Sequence, residues 1–245
     1  MNMQTFFSEI TALCRNEQFL HSVMEKYHYD PEEYPNLKRL AGEMIPCLET
    51  EAGWQDREIK ETFPGRDQSF LAVGITFGKG IDELQEQYLK TGLLTESYMI
   101  EVLSSELLLK SYRLYTEWIT EHRDLHVARL YFPGSAISDL KAPETGSAMT
   151  SLQQWLQLEQ LPEVLKKLNL PVTCNEAYCM IPKKSVVFYA ALTQDSAVKC
   201  AGICLDCGRR DCPNRMEEKE SFPLHFADMT DRPLSYGYQK IFQKH

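Results

Sequence analysis

The chain has no apolar run long enough to cross a bilayer. Its most apolar late stretch, Ser185 to Leu192, is far shorter than the roughly 20 residues a helical span needs. It has no basic stripe either: 26 Lys and Arg stand against 35 Asp and Glu, a formal net charge of −9. Nucleic-acid contacts need clustered basic side chains on phosphate, so neither a nucleic acid nor a membrane is expected as a partner. The N-terminus carries acidic Glu9 and lacks the basic-then-apolar order of a secretory signal. There is no internal repeat, no low-complexity segment and no regular alternation of strand and helix that would mark a parallel βαβ sheet. The expectation is a cytoplasmic (cytosolic) protein.

What is present is enough apolar material for one large core: 245 residues, of which 43% are hydrophobic. Phe6, Phe7, Ile10, Leu13, Cys14, Phe19, Leu20 and Val23 recur at helical spacing from Met3 to about Tyr27. Asp30-Pro31 breaks the run and opens a short helix through Leu37, Leu40 and Met44. Glu49 to Gln68 is polar and reads as a connection. Phe70 to Phe77 is β-rich and ends at Gly78; Lys79 to Thr91 is helical, with Gly92 as its stop. Thr95 to His122 is apolar on more than one face, the mark of a buried central helix. Val127 to Phe132 and Ser185 to Leu192 read as strands, with Ala197 to Ala201 returning as a hairpin partner. Leu152 to Leu168 reads as helical, restarting at Pro162. Long helices and few strands predict a mixed α/β fold (α+β) with a small, partly antiparallel sheet. The expected organisation is an N-terminal helical extension over 1–68, a core over 69–199, and a Cys-rich segment and tail over 200–245.

Eight cysteines need an account. Cys14, Cys47, Cys174 and Cys179 are scattered, and each is expected as a small buried hydrophobe. Cys200, Cys204, Cys207 and Cys212 fall within thirteen residues, with spacings of three, two and four residues. Without a secretion signal, such a cluster points to metal ligation. Four thiolates surround one Zn²⁺ or hold one [4Fe-4S] cluster. The opening spacing also occurs in radical S-adenosylmethionine enzymes, but those build a barrel after the motif, and only 38 residues follow Cys207.

Two further segments carry chemistry. One is Arg129-Leu130-Tyr131-Phe132-Pro133-Gly134-Ser135; the other is Asn175-Glu176-Ala177-Tyr178-Cys179-Met180-Ile181-Pro182-Lys183-Lys184-Ser185-Val186. In the second, Lys183 and Lys184 should be exposed and Ser185 should open a strand. Glu176, Tyr178, Met180, Pro182, Ser185 and Val186 fall in step, without a gap, with a segment of the reactivation domain of cobalamin-dependent methionine synthase. The Phe70 to Gly78 strand and the Ser105-Glu106 helix follow the same order, so the chain resembles that family from about Phe70 to Ala201.

The resemblance implies a role. Cobalamin stranded as cob(II) is rescued by an electron from a separate donor protein and a methyl group from S-adenosylmethionine. This chain would then be an accessory of a corrinoid-binding methyltransferase, a methionine synthase that lacks its own reactivation domain and carries the cobalamin. Arg129, Pro133, Gly134, Glu176, Tyr178, Met180 and Ser185 would border the S-adenosylmethionine site. The family holds its ligand through Arg-x-x-x-Gly-Tyr; here Leu130 stands at the Arg position, Arg129 comes one residue earlier, and Ser135 replaces the Tyr. On a strand, a one-residue offset turns a side chain to the other face unless a bulge intervenes. Two other readings stay open: a corrinoid reductase using its own Fe–S cluster without S-adenosylmethionine, and a zinc-stabilised, non-catalytic module that docks on a corrinoid protein.

Overall fold

A computed structural model describes residues 3–51, 53–59, 69–134, 154–198 and 200. Six helices are labelled α1 (Met3–Arg15), α2 (Glu17–Lys26), α3 (Tyr34–Glu51), α4 (Gly80–Lys90), α5 (Leu94–Arg123) and α6 (Leu161–Leu168). The strands are β1 (Gly53–Ile59), β2 (Ser69–Thr76), β3 (His126–Tyr131), β4 (Thr173–Cys174), β5 (Met180–Ile181) and β6 (Ser185–Thr193). The fold is mixed α/β. A four-stranded sheet runs in the order β1-β2-β6-β3, and β4 and β5 form a separate two-stranded hairpin. Every one of these pairings is antiparallel.

The sheet separates two apolar clusters. Leu71, Val73 and Ile75 of β2 with Val186, Phe188, Ala190 and Leu192 of β6 face α1 to α5. Phe70 and Ala72 with Val187, Tyr189 and Ala191 face α6. Strands covered on both faces lose the polar alternation of a half-exposed strand, which is why β2 and β6 read as nearly unbroken apolar runs. Each such Val, Leu, Ile or Phe side chain taken fully from water is worth about 1.5–3 kcal/mol. The helix-side cluster extends from Phe6 to Cys200, so α1 to α3 share a core with the sheet. The β1–β2 pairing likewise crosses the boundary at residue 69. Helix α5 is buried on several faces, through residues such as Met99, Leu103, Leu107, Tyr112 and Tyr115.

Several local expectations are corrected. The single N-terminal periodic run is two helices, because Asn16 leaves helical geometry and its side chain accepts the Phe19 N–H at 2.9 Å; Asn is a strong N-cap. Residues 49–68 are not merely a connection: α3 continues to Glu51, and β1 follows. Its sequence, GWQDREI, is polar, as suits an edge strand, so its signal is backbone pairing and not apolar pattern. Of the return strand expected over 197–201, the described part shows one isolated β-bridge residue, Cys200, and no extended strand. Instead Asp195 organises a turn, accepting from Ala197 N–H at 2.9 Å and Val198 N–H at 3.2 Å. Ala201 lies outside the described residues. Leu152 does too; within that segment a 3-10 turn, Leu158–Gln160, precedes α6, with Pro162 in the first turn of α6. Among the described residues no helix is long and apolar enough to cross a membrane.

Candidate functional site

Strand β3 is irregular in a way that orients its side chains. Val127 pairs with Leu192 and Arg129 with Ala191, so Ala128 is an extra residue in a β-bulge. Beyond the bulge, Leu130 packs in the helix-side core, 5% exposed. Arg129 and Tyr131 point to the opposite face. Arg129 is 8% exposed, with its guanidinium carbon 5.1 Å from the centroid of the Tyr131 ring, a cation–π arrangement. The face carrying Arg129 is therefore the α6 side of the sheet, where Tyr131 packs against the second cluster.

The Pro133-Gly134 turn closes over the same cluster. Gly134 has φ of +80° and donates its N–H to the Leu156 carbonyl at 2.7 Å, and Leu156 is a member of that cluster. A Cβ at this position would come within 3.1 Å of Leu158 Cδ2. Both the dihedral and the space select glycine.

The β4–β5 hairpin brings the second segment to this side. Asn175 Oδ1 accepts the N–H groups of Ala177 and Cys179, both at 3.0 Å, and Asn175 N–H donates to the Cys179 carbonyl at 3.0 Å. This turn holds Tyr178 at φ of +60°, an uncommon conformation for a bulky residue. Tyr178 and Met180 pack, partly buried, against the α6-side cluster together with Tyr131 and Trp155. Glu176 is exposed in the turn. Ser185 opens β6 and is buried; its hydroxyl lies 2.8 Å from Thr76 Oγ1, which also accepts the Gly78 N–H at 3.0 Å. Ser185 thus ties the ends of β2 and β6 together. Strand alternation places it on the α6 side with Val187 and Tyr189. Arg129, Gly134, Tyr178, Met180 and Ser185 all border one side of the sheet.

Lys184 was expected in solvent and is instead 5% exposed. Its ammonium donates to Glu101 Oε1 and, at 2.9 Å, to Ser105 Oγ. Burial acts to raise the Glu101 carboxyl, but the Lys184 hydrogen bond and charge outweigh it, and the group sits below its ordinary range. A Lys-Lys pair carries no signal that one member turns inward; the partner lies 83 residues away on α5.

Of the clustered cysteines, only Cys200 is described. It is 4% exposed in the helix-side core, and burial pushes its thiol up to about 12. Ligation needs the thiolate, which a bound metal ion itself favours by lowering the thiol's pKa. Cys204, Cys207 and Cys212 lie outside the described residues. Among the described residues, no group of three or more His, Cys, Asp and Glu converges. The scattered cysteines divide: Cys14 is buried, Cys47 and Cys174 are intermediate and Cys179 is exposed, so Cys179 departs from the expected buried role because it lies at the hairpin turn.

A buried guanidinium is suited to a carboxylate, and an aromatic side chain such as Tyr131 beside it is suited to an apolar ligand body. Compared with known proteins, the chain matches no family model and no curated protein.

Proposed function

We propose that the chain is an accessory protein for the reductive reactivation of a cobalamin-dependent methyltransferase of the methionine synthase type. The observation that supports this reading is that Arg129, Gly134, Tyr178 and Met180 all lie on the α6 face of the sheet. The bulge at Ala128 is what lets Val127 and Leu130 both face the helices while Arg129 takes the opposite face. Bound S-adenosylmethionine would supply the methyl group that traps reduced cobalamin. Arg129 would hold the ligand carboxylate by charge-assisted hydrogen bonds. Tyr178 and Met180 would cover its apolar body and exclude water. The strained Tyr178 backbone fixes the covering ring in advance, which lowers the entropic cost of binding. Electrons would come from a separate donor protein, and the corrinoid from the partner. The Cys200 to Cys212 motif is proposed to hold a [4Fe-4S] cluster or zinc, with no step routed through it.

Calorimetric titration of S-adenosylmethionine into anaerobic protein, with and without a cobalamin-loaded methyltransferase, tests the site. Weak binding to the isolated chain, strengthened by the partner and abolished by Arg129→Ala, supports the reading. Tight binding unchanged by Arg129→Ala refutes the proposed role of Arg129. Association with the methyltransferase but no binding of S-adenosylmethionine in either state favours the non-catalytic docking module.

A further inference from the structure

Two consecutive lysines complete the connection from β5 to β6, and helices α4 and α5 hold them in different ways. Lys183 is exposed and is held by its backbone, its N–H donating to Asp82 Oδ2 at 2.9 Å. Lys184 is buried and is held by its side chain. Its ammonium donates to Glu101 Oε1 and, at 2.9 Å, to Ser105 Oγ. Its carbonyl accepts the Phe77 N–H at 2.9 Å. Gln85 of α4 donates from Nε2 to the other carboxylate oxygen of Glu101 at 3.1 Å. Asp82 and Gln85 are three residues apart on α4, and Glu101 and Ser105 four apart on α5, so each pair shares a helix face. Two helix faces thus grip residues 183 and 184.

Asp82 is the informative member. It lies in the first turn of α4, where the helix dipole favours an acid. That role needs no partner from a distant segment. Yet Asp82 Oδ2 accepts from a residue 101 positions away, while Oδ1 is buried with no hydrogen-bond partner among the described residues. A buried carboxylate oxygen is unfavourable unless bonded, so the Lys183 bond offsets part of what this placement costs. The restrained residues lead straight back to the site. The β4–β5 hairpin has two residue pairs, Thr173 with Ile181 and Cys174 with Met180, and so short a hairpin is not stable by itself. Its position depends on its anchors.

We propose that Asp82 is a positioning residue. With the Glu101–Lys184 pair it forms an anchor by which α4 and α5 hold the Tyr178–Met180 hairpin on the α6 side of the sheet. Helices packed on one face of the sheet thereby set the geometry of the cover on the other. The effect on ligand rests on the reactivation reading; the anchor itself does not.

The test compares Asp82→Ala with Asp82→Asn, whose amide oxygen still accepts a backbone N–H. Mass-mapped alkylation of the anaerobic full chain reads the hairpin through Cys174, partly buried beside the α6-side cluster, with exposed Cys179 as the internal control. Asp82→Ala should speed labelling of Cys174 by roughly tenfold, the factor by which a hydrogen bond to a charged group favours the closed form. Cys179 should label at an unchanged rate, and Asp82→Asn should behave as the unmodified chain. S-adenosylmethionine, titrated with a cobalamin-loaded methyltransferase present, should bind Asp82→Ala more weakly by a like factor and Asp82→Asn normally. Unchanged Cys174 labelling in Asp82→Ala overturns the anchor, as does labelling of Asp82→Asn as fast as that of Asp82→Ala. Amide exchange in the middle of α5 is the global control: equal acceleration there marks a general loss of stability and overturns the local role. Faster labelling with unaltered ligand affinity overturns the positioning role. Absence of S-adenosylmethionine binding by the unmodified chain overturns the reactivation reading, and Cys174 alone then decides the anchor.

Discussion

Gly134 meets two demands at once: a left-handed backbone and a close approach of Leu158. Gly134→Ala is expected to lower the free energy of unfolding by about 1–2 kcal/mol, measured by urea denaturation. No loss would mean that the Pro133-Gly134 turn is not held as described. The Glu101–Lys184 pair makes a second demand of single residues. Glu101→Gln strands a buried ammonium and should cost on the order of 2 kcal/mol or more. The pair also sets a pH dependence. The folded-state carboxyl of Glu101 lies below its ordinary value of 4.5, so its contribution is fully present above that value and fades as pH falls below it. Acid titration of stability should show a shallower loss below pH 4.5 in Glu101→Gln than in the unmodified chain. An equally steep loss in both would remove Glu101 from the account.

At the scale of elements, the β3 bulge is the feature with the largest leverage. Deleting Ala128 forces a choice: Val127 leaves the core, or Arg129 turns into it. Either outcome should destabilise the protein by about 1–3 kcal/mol and weaken the Arg129-dependent binding of S-adenosylmethionine. A deletion variant of unchanged stability would show that the strand re-registers freely. The central elements were legible in the sequence because their signals are local. Apolar runs marked β2 and β6, and a multi-face period marked α5. Gly92 marked the end of α4. The bulge was raised as a device but could not be located, because its cause is the register that Val127 and Arg129 adopt against β6. Strand β1 escaped for the same reason: a polar edge strand is recognised by its partner and not by its own composition. The site was legible as two segments. Their sharing the α6 side, and the inward turn of Lys184 to Glu101, depend on contacts across the sheet that spacing does not encode.

For the whole molecule, one core joins the N-terminal helices to the sheet, while the α6 side carries the candidate site. Cys200 sits in the first of these and the Cys motif continues from it. Anaerobic metal analysis is expected to find one iron–sulfur or zinc centre, released by Ser at Cys204, Cys207 or Cys212. The four-ligand proposal requires release by Cys200→Ser as well. Full metal content in all four variants would contradict it.

The most direct test of the reactivation proposal is methyl transfer itself. A methionine synthase lacking its own reactivation domain is prepared with its cobalamin as cob(II), then given an electron donor, methyl-labelled S-adenosylmethionine and this protein. The account predicts label on the cobalamin and recovery of methionine synthesis, both dependent on the added protein and both lost with Arg129→Ala. Recovery at the same rate without the protein, or full recovery with Arg129→Ala, would contradict it.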